Sequence, residues 1–106
     1  MIIKINEIAD SLFSRARGLM FRKNSKRILF IFNKEGIYPI HSYFVFFKFD
    51  AIYLDKNMKI VEIFKGVKPF TALIKPSKKA MYLLEMEVES VKNLKLHKDI
   101  TIKTKI

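Results

Sequence analysis

Ala80-Met81-Tyr82-Leu83-Leu84-Glu85-Met86-Glu87-Val88 decides the fold class, because its side chains fall into two alternating sets. Ala80, Tyr82, Leu84, Met86 and Val88 share one side while Met81, Leu83, Glu85 and Glu87 take the other, the period of two that a strand with unlike faces imposes. Toward the carboxy terminus, Ile100, Ile102 and Ile106 alternate with Thr101, Lys103 and Lys105 in the same way. Residues 28–32 and 43–54 are too apolar to alternate and read as strands buried on both faces. Asn33-Lys34-Glu35-Gly36 between them predicts a hairpin loop closed by Gly36 at a positive φ, and Asp55-Lys56-Asn57 predicts a turn, with Asn57 left-handed, into a strand over 58–67.

One segment departs from the β pattern. Asp10 or Ser11 can cap a helix on which Leu12, Phe13, Ala16, Leu19 and Met20 form one apolar stripe, running to Arg22. A shorter helical turn is expected after Ser90, with Val91 and Leu94 turned inward. The expectation is a mainly β fold: a compact single domain over 1–106, sandwich or barrel-like, with one or two short helices.

A chain of 106 residues, half of them hydrophobic, has room for one core and enough apolar surface to fold, which excludes a multidomain enzyme and intrinsic disorder. The absence of Cys excludes a disulfide framework, a thiolate metal site and a cysteine nucleophile. Lys4, Asn6, Glu7 and Asp10 break the apolar residues of the amino-terminal stretch, so no secretory core is read there. The longest uncharged run, 36–47, is shorter than the roughly 20 apolar residues of a membrane-spanning helix. A cytoplasmic location with no membrane partner is therefore expected.

The net charge of +11 brings anionic partners into consideration. The basic residues are scattered along the whole chain, however, and 17 are Lys against four Arg, whereas Arg suits bidentate recognition of phosphate and bases. A Lys- and Ile-rich composition without Cys or Trp also fits an AT-rich, thermophilic genome. Nucleic-acid binding is accordingly expected to be weak and non-specific.

Polar residues inside apolar stretches supply the candidate site. His41, in Pro39-Ile40-His41-Ser42-Tyr43, reads either as a hydrogen-bonded structural histidine or as a ligand contact. Arg22 lies one helical turn beyond Gly18 and needs an acid, for which Asp50 and Glu85 are the candidates. The set is either an ion pair fixing helix on sheet or a pocket for an anion. His97 reads as a solvated turn residue. With two distant His residues and no Cys, no metal and no cofactor is expected. No Gly-x-Ser-x-Gly elbow or phosphate loop occurs, and a catalytic residue is not assigned.

Arg17-Gly18-Leu19-Met20-Phe21-Arg22, Leu29-Phe30-Ile31-Phe32, Phe49-Asp50-Ala51-Ile52-Tyr53-Leu54-Asp55, Pro69-Phe70 and Ala80-Met81-Tyr82-Leu83-Leu84-Glu85 follow one another in the order and spacing of the domain of unknown function 192 family, also called uncharacterised protein family 0127. The sequence resembles that family from about Ser14 onward. The resemblance implies a compact, mainly β fold with short helices and no established reaction, in a family often exported in bacteria. His41-Ser42-Tyr43-Phe44-Val45 stands where many members carry Trp-Met-Lys-Asn-Thr, so a polar site built on that Lys and Asn is not transferred.

Three functions follow as expectations. The first is a non-enzymatic ligand-binding or interaction module whose small-molecule or protein partner is held by Arg22, His41, Asp50 and Glu85 at the helix–sheet junction. The second is an enzyme using Asp50 and Glu85, and the third a weak nucleic-acid-binding module with Tyr and Phe as stacking surfaces. A cleft uniting His41, Asp50 and Glu85 favours the first two, whereas lysines and exposed aromatics gathered on one face favour the third.

Overall fold

The computed structural model describes residues 2–9, 27–89 and 94–104. The helix expected from Ser11 to Arg22 and the turn expected after Ser90 lie outside the described residues. Seven strands occupy the rest: β1 (Ile2–Ile5), β2 (Glu7–Ala9), β3 (Ile28–Gly36), β4 (Phe49–Leu54), β5 (Ile60–Val67), β6 (Ala80–Glu87) and β7 (Thr101–Thr104). They form a five-stranded sheet in the order β2-β3-β6-β4-β5 and a two-stranded sheet of β1 and β7, and no closed barrel forms among the described residues. The mainly β expectation holds in its sandwich-like form.

The alternation that marks β6 in the sequence places it at the centre of the large sheet, antiparallel to both β3 and β4. Its two sides enter two separate cores. Leu84 and Met86 join Leu29, Ile52, Leu54 and Ile60 on one face, where Ile3, Ile5, Leu94 and Ile100 cover them. Leu83 joins Ile28, Phe30, Phe49, Ala51 and Tyr53 on the other, with Val45 and Ile74 above; Ala80 packs there too and not, as the alternation predicts, with Leu84, since the pairing of β3 with β6 is irregular between Ile31 and Gly36, the residue opposite Ala80. Burial of Phe49, Ile52, Leu83 and Leu84, each at most 1% exposed, contributes about 1.5–3 kcal/mol per side chain.

Three loop and boundary expectations change. Residues 33–36 do not turn: β3 runs straight through them as one nine-residue strand whose register with β6 shifts between Ile31 and Gly36, and Gly36 pairs with Ala80. With β6 lying between β3 and β4, no hairpin can join those two strands. The strand expected from Tyr43 begins only at Phe49. The Asp55 turn does form, but the left-handed residue is Met58 rather than Asn57, because the Asp55 carboxylate accepts the amides of Asn57 and Lys59 and orients the loop. Among the described residues no helix is long and apolar enough to cross a membrane.

Candidate functional site

Since β6 separates β3 from β4, and β4 separates β5 from β6, the chain must cross the sheet twice, at 37–48 and at 68–79. Ile40, Phe47, Val45 and Ile74 pack on the same core face, so both crossings lie on one side of the sheet. They are tied there. Ile40 and Ile74 exchange backbone hydrogen bonds of 2.9 and 2.7 Å. Ser42 is fully buried, and its hydroxyl donates to the Lys68 carbonyl at 2.6 Å while accepting the Thr71 amide at 2.7 Å. The Ser42 backbone adds a bond to the Thr71 carbonyl at 2.9 Å and accepts the Phe70 amide at 2.8 Å. One serine thus closes the two crossings onto each other.

The clasp presents aromatic rings to solvent. Phe44, Phe46 and Phe70 are 47%, 58% and 55% exposed, and Tyr43 and Leu73 are exposed beside them in sequence. Phe70 meets Phe44 and Phe46 edge-on, with centroids 6.5 and 5.9 Å apart, which is the favoured geometry for paired rings. Phe44 and Phe70 both hold a left-handed backbone, φ 61° and 59°. For a bulky side chain that costs on the order of 1–2 kcal/mol each, offset here by the hydrogen bonds around Ser42. Exposed apolar groups clustered on strained, pinned loops are the surface expected of a binding site rather than of a solvated connection.

Charge sharpens the picture. No Asp or Glu occurs between Glu35 and Asp50, nor between Glu62 and Glu85, while the two crossings hold Lys48, Lys68, Lys75, Lys78 and Lys79, all exposed. Acids from the strands hold backbone or hydroxyl groups: Glu35 accepts the Lys56 amide, and Glu62 reaches the end of the second crossing, where it accepts the amide and hydroxyl of Ser77. Among the described residues the Arg27–Glu87 ion pair, at 2.9 Å, involves the arginine, and none of the five crossing lysines is in an ion pair.

The residues singled out from the sequence do not form one site. Arg22 lies outside the described residues. His41 is exposed, its Nδ1 accepts the Tyr43 amide at 3.2 Å, and its ring leans on that of Tyr43, so it belongs to the aromatic surface. Asp50 and Glu85 project to opposite faces of the sheet: Asp50 pairs in register with Met86, whereas Glu85 stands opposite Ala51 and Ile28. They cannot act together on one bond. Asp50, 2% exposed, accepts the Gly66 amide at 2.8 Å and the Glu89 amide at 3.1 Å, at two positions where the backbone is left-handed. It stabilises two bends. Glu85, 5% exposed, has no hydrogen-bonding or ionic partner among the described residues, and burial pushes its carboxyl up to about 8. Tyr53, on the same face, donates its hydroxyl to the Tyr38 carbonyl at 2.6 Å; burial, then the charges of Glu85 and Glu62, raises its pKa.

The family of domain of unknown function 192, described as uncharacterized ACR, matches residues 3–104. A UPF0127 protein of Pyrococcus horikoshii is 38% identical over 80 residues, covering 74% of this chain and 68% of the relative. One from Pyrococcus abyssi is 33% identical over 92 residues, covering 85% and 77%. Among solved structures, a candidate transcription regulator of Sinorhizobium meliloti superposes with a TM-score of 0.75 at 22% identity, over 80% of this chain and 69% of that one. A protein of unknown function from Novosphingobium aromaticivorans gives 0.72 at 17% identity, over 77% and 61%. At those identities the two structures share the fold.

Proposed function

The chain belongs to the domain of unknown function 192 family, and from that premise we propose that it is a non-enzymatic binding module for a flexible anionic polymer, working in the cytoplasm. The binding surface is the clasped pair of crossings. The observation that carries this reading is the coincidence, on two connections that contain no Asp or Glu of their own, of exposed aromatic rings and unpaired lysines. Lysines of this kind attract phosphate or sulfate groups by releasing counterions, with no need for fixed geometry. The opposed directions of Asp50 and Glu85 remove the arrangement that an acid-pair enzyme would use.

Titration with inorganic polyphosphate tests the reading. Lys68→Glu with Lys75→Glu should weaken binding at least tenfold, whereas Lys56→Glu with Lys59→Glu, at the β4–β5 turn, should change it less than threefold, as roughly expected when contact charges count and remote ones are screened. Equal losses from the two pairs would mean that the net charge acts diffusely, and the proposed surface would be wrong.

A further inference from the structure

We infer that the polymer is a single-stranded nucleic acid, its bases stacking on Phe44, Phe46 and Phe70 while its phosphates meet Lys48, Lys68 and Lys75; this rests on the binding reading above.

Four of the exposed apolar groups on the crossings, Tyr43, Phe44, Phe46 and Phe70, are rings. A lipid surface or a greasy protein groove would accept aliphatic side chains at these places equally well, and interfacial belts favour Trp and Tyr, whereas the chain has no Trp and three of these four rings are Phe. Unpaired bases are the partner for which ring identity matters, because every base offers a π-face whatever its sequence. A duplex buries those faces. The rings are also fixed before any partner arrives: edge contacts join all three, and Phe70 is bonded through its amide to Ser42. Stacking on them therefore costs little ordering. His41 and Tyr43 form a second pair of rings on the first crossing, with centroids 5.2 Å apart. The cations are Lys, which follow a backbone as point charges without reading base edges, so the recognition is tolerant of sequence. With three lysines in contact, the logarithm of affinity should fall against the logarithm of salt with a slope of about −2.

The test is fluorescence anisotropy with a labelled 12-nucleotide single strand, the same sequence as a duplex, inorganic polyphosphate as competitor, and vesicles containing phosphatidylserine. Single strand should bind roughly tenfold or more tightly than duplex. Phe46→Ala and Phe70→Ala should each lose roughly tenfold for the single strand, in line with the usual worth of one stacked base, and little for polyphosphate, while Phe46→Tyr keeps the affinity. If the Phe variants leave single-strand affinity unchanged and the lysine variants still weaken polyphosphate, nucleic acid is the wrong polymer and the broader reading stands. Phe-dependent vesicle binding without a preference for single strands would assign the surface to a membrane instead. No binding to any of the probes would remove both readings.

Discussion

Glu85 occupies a position that would suit an apolar residue, with Ile28 and Ala51 as its cross-strand neighbours. Its carboxyl is driven from the usual 4.5 to about 8 by burial, so near neutrality it is largely protonated in the folded protein and ionised in the unfolded chain. Because the folded value is the higher one, its contribution to stability is fully present below about pH 4.5 and is lost as pH rises toward 8. At about 1.4 kcal/mol per tenfold change in proton affinity, the loss over that window is a few kcal/mol. Glu85→Gln should flatten the profile, making the variant relatively more stable at pH 9 than at pH 5. Denaturant midpoints measured at pH 5, 7 and 9 for both proteins would contradict this if the two curves stayed parallel. That Glu85 and Asp50 part company was not legible in the sequence, since each strand's own parity is visible but the offset between strands is set by their pairing.

The elements repeat that lesson in a different form. β6 was legible from its alternation and the β4–β5 connection from Asp55, because both signals are local. Residues 43–48 read as strand in the sequence but are not: an apolar run looks alike whether it is buried on both faces or, as here, exposes Tyr43, Phe44 and Phe46 and buries Val45. Phe44 and Phe46 read as core for the same reason, and the sequence signal that marks them instead is the absence of acids around them. Ser42 is the element's decisive residue. Ser42→Ala strips the Thr71 amide of its partner and leaves the Lys68 carbonyl with the Thr71 hydroxyl alone, at 2.8 Å, which should cost about 1–2 kcal/mol, within the usual penalty for a buried group left unsatisfied. It should also speed exchange of the Thr71 and Phe70 amides. A stability change below about 0.5 kcal/mol would show that the crossings hold together without the hydroxyl.

At the scale of the molecule, one strand organises the rest. β6 is hydrogen-bonded on both sides and contributes side chains to both cores, whereas β2 and β5 are the edges of their sheet. Amide exchange should therefore be slowest in β6 and β4 and faster in β2, and the Leu83 and Leu84 amides should report global unfolding. Equal protection in β2 and β6 would contradict this ranking. The sequence revealed the central strand and the final one but missed the first two, β1 and β2, whose few residues carry too short a pattern to separate strand from coil.

The pairing of β1 with β7 has a consequence in time. Ile2 lies opposite Thr101 and Ile5 opposite Thr104, in parallel, so the smaller sheet joins residues almost a whole chain apart. During synthesis from the amino end, Ile3 and Ile5 emerge before all five strands of the larger sheet and wait for β7, roughly 100 residues later, for several seconds at about 5–20 residues per second. Loop closure on that length carries an entropic cost that only the finished large sheet can shorten, by bringing the two ends near each other. The order of events on the ribosome is thereby set: the five-stranded sheet is the template, and the two-stranded one closes last.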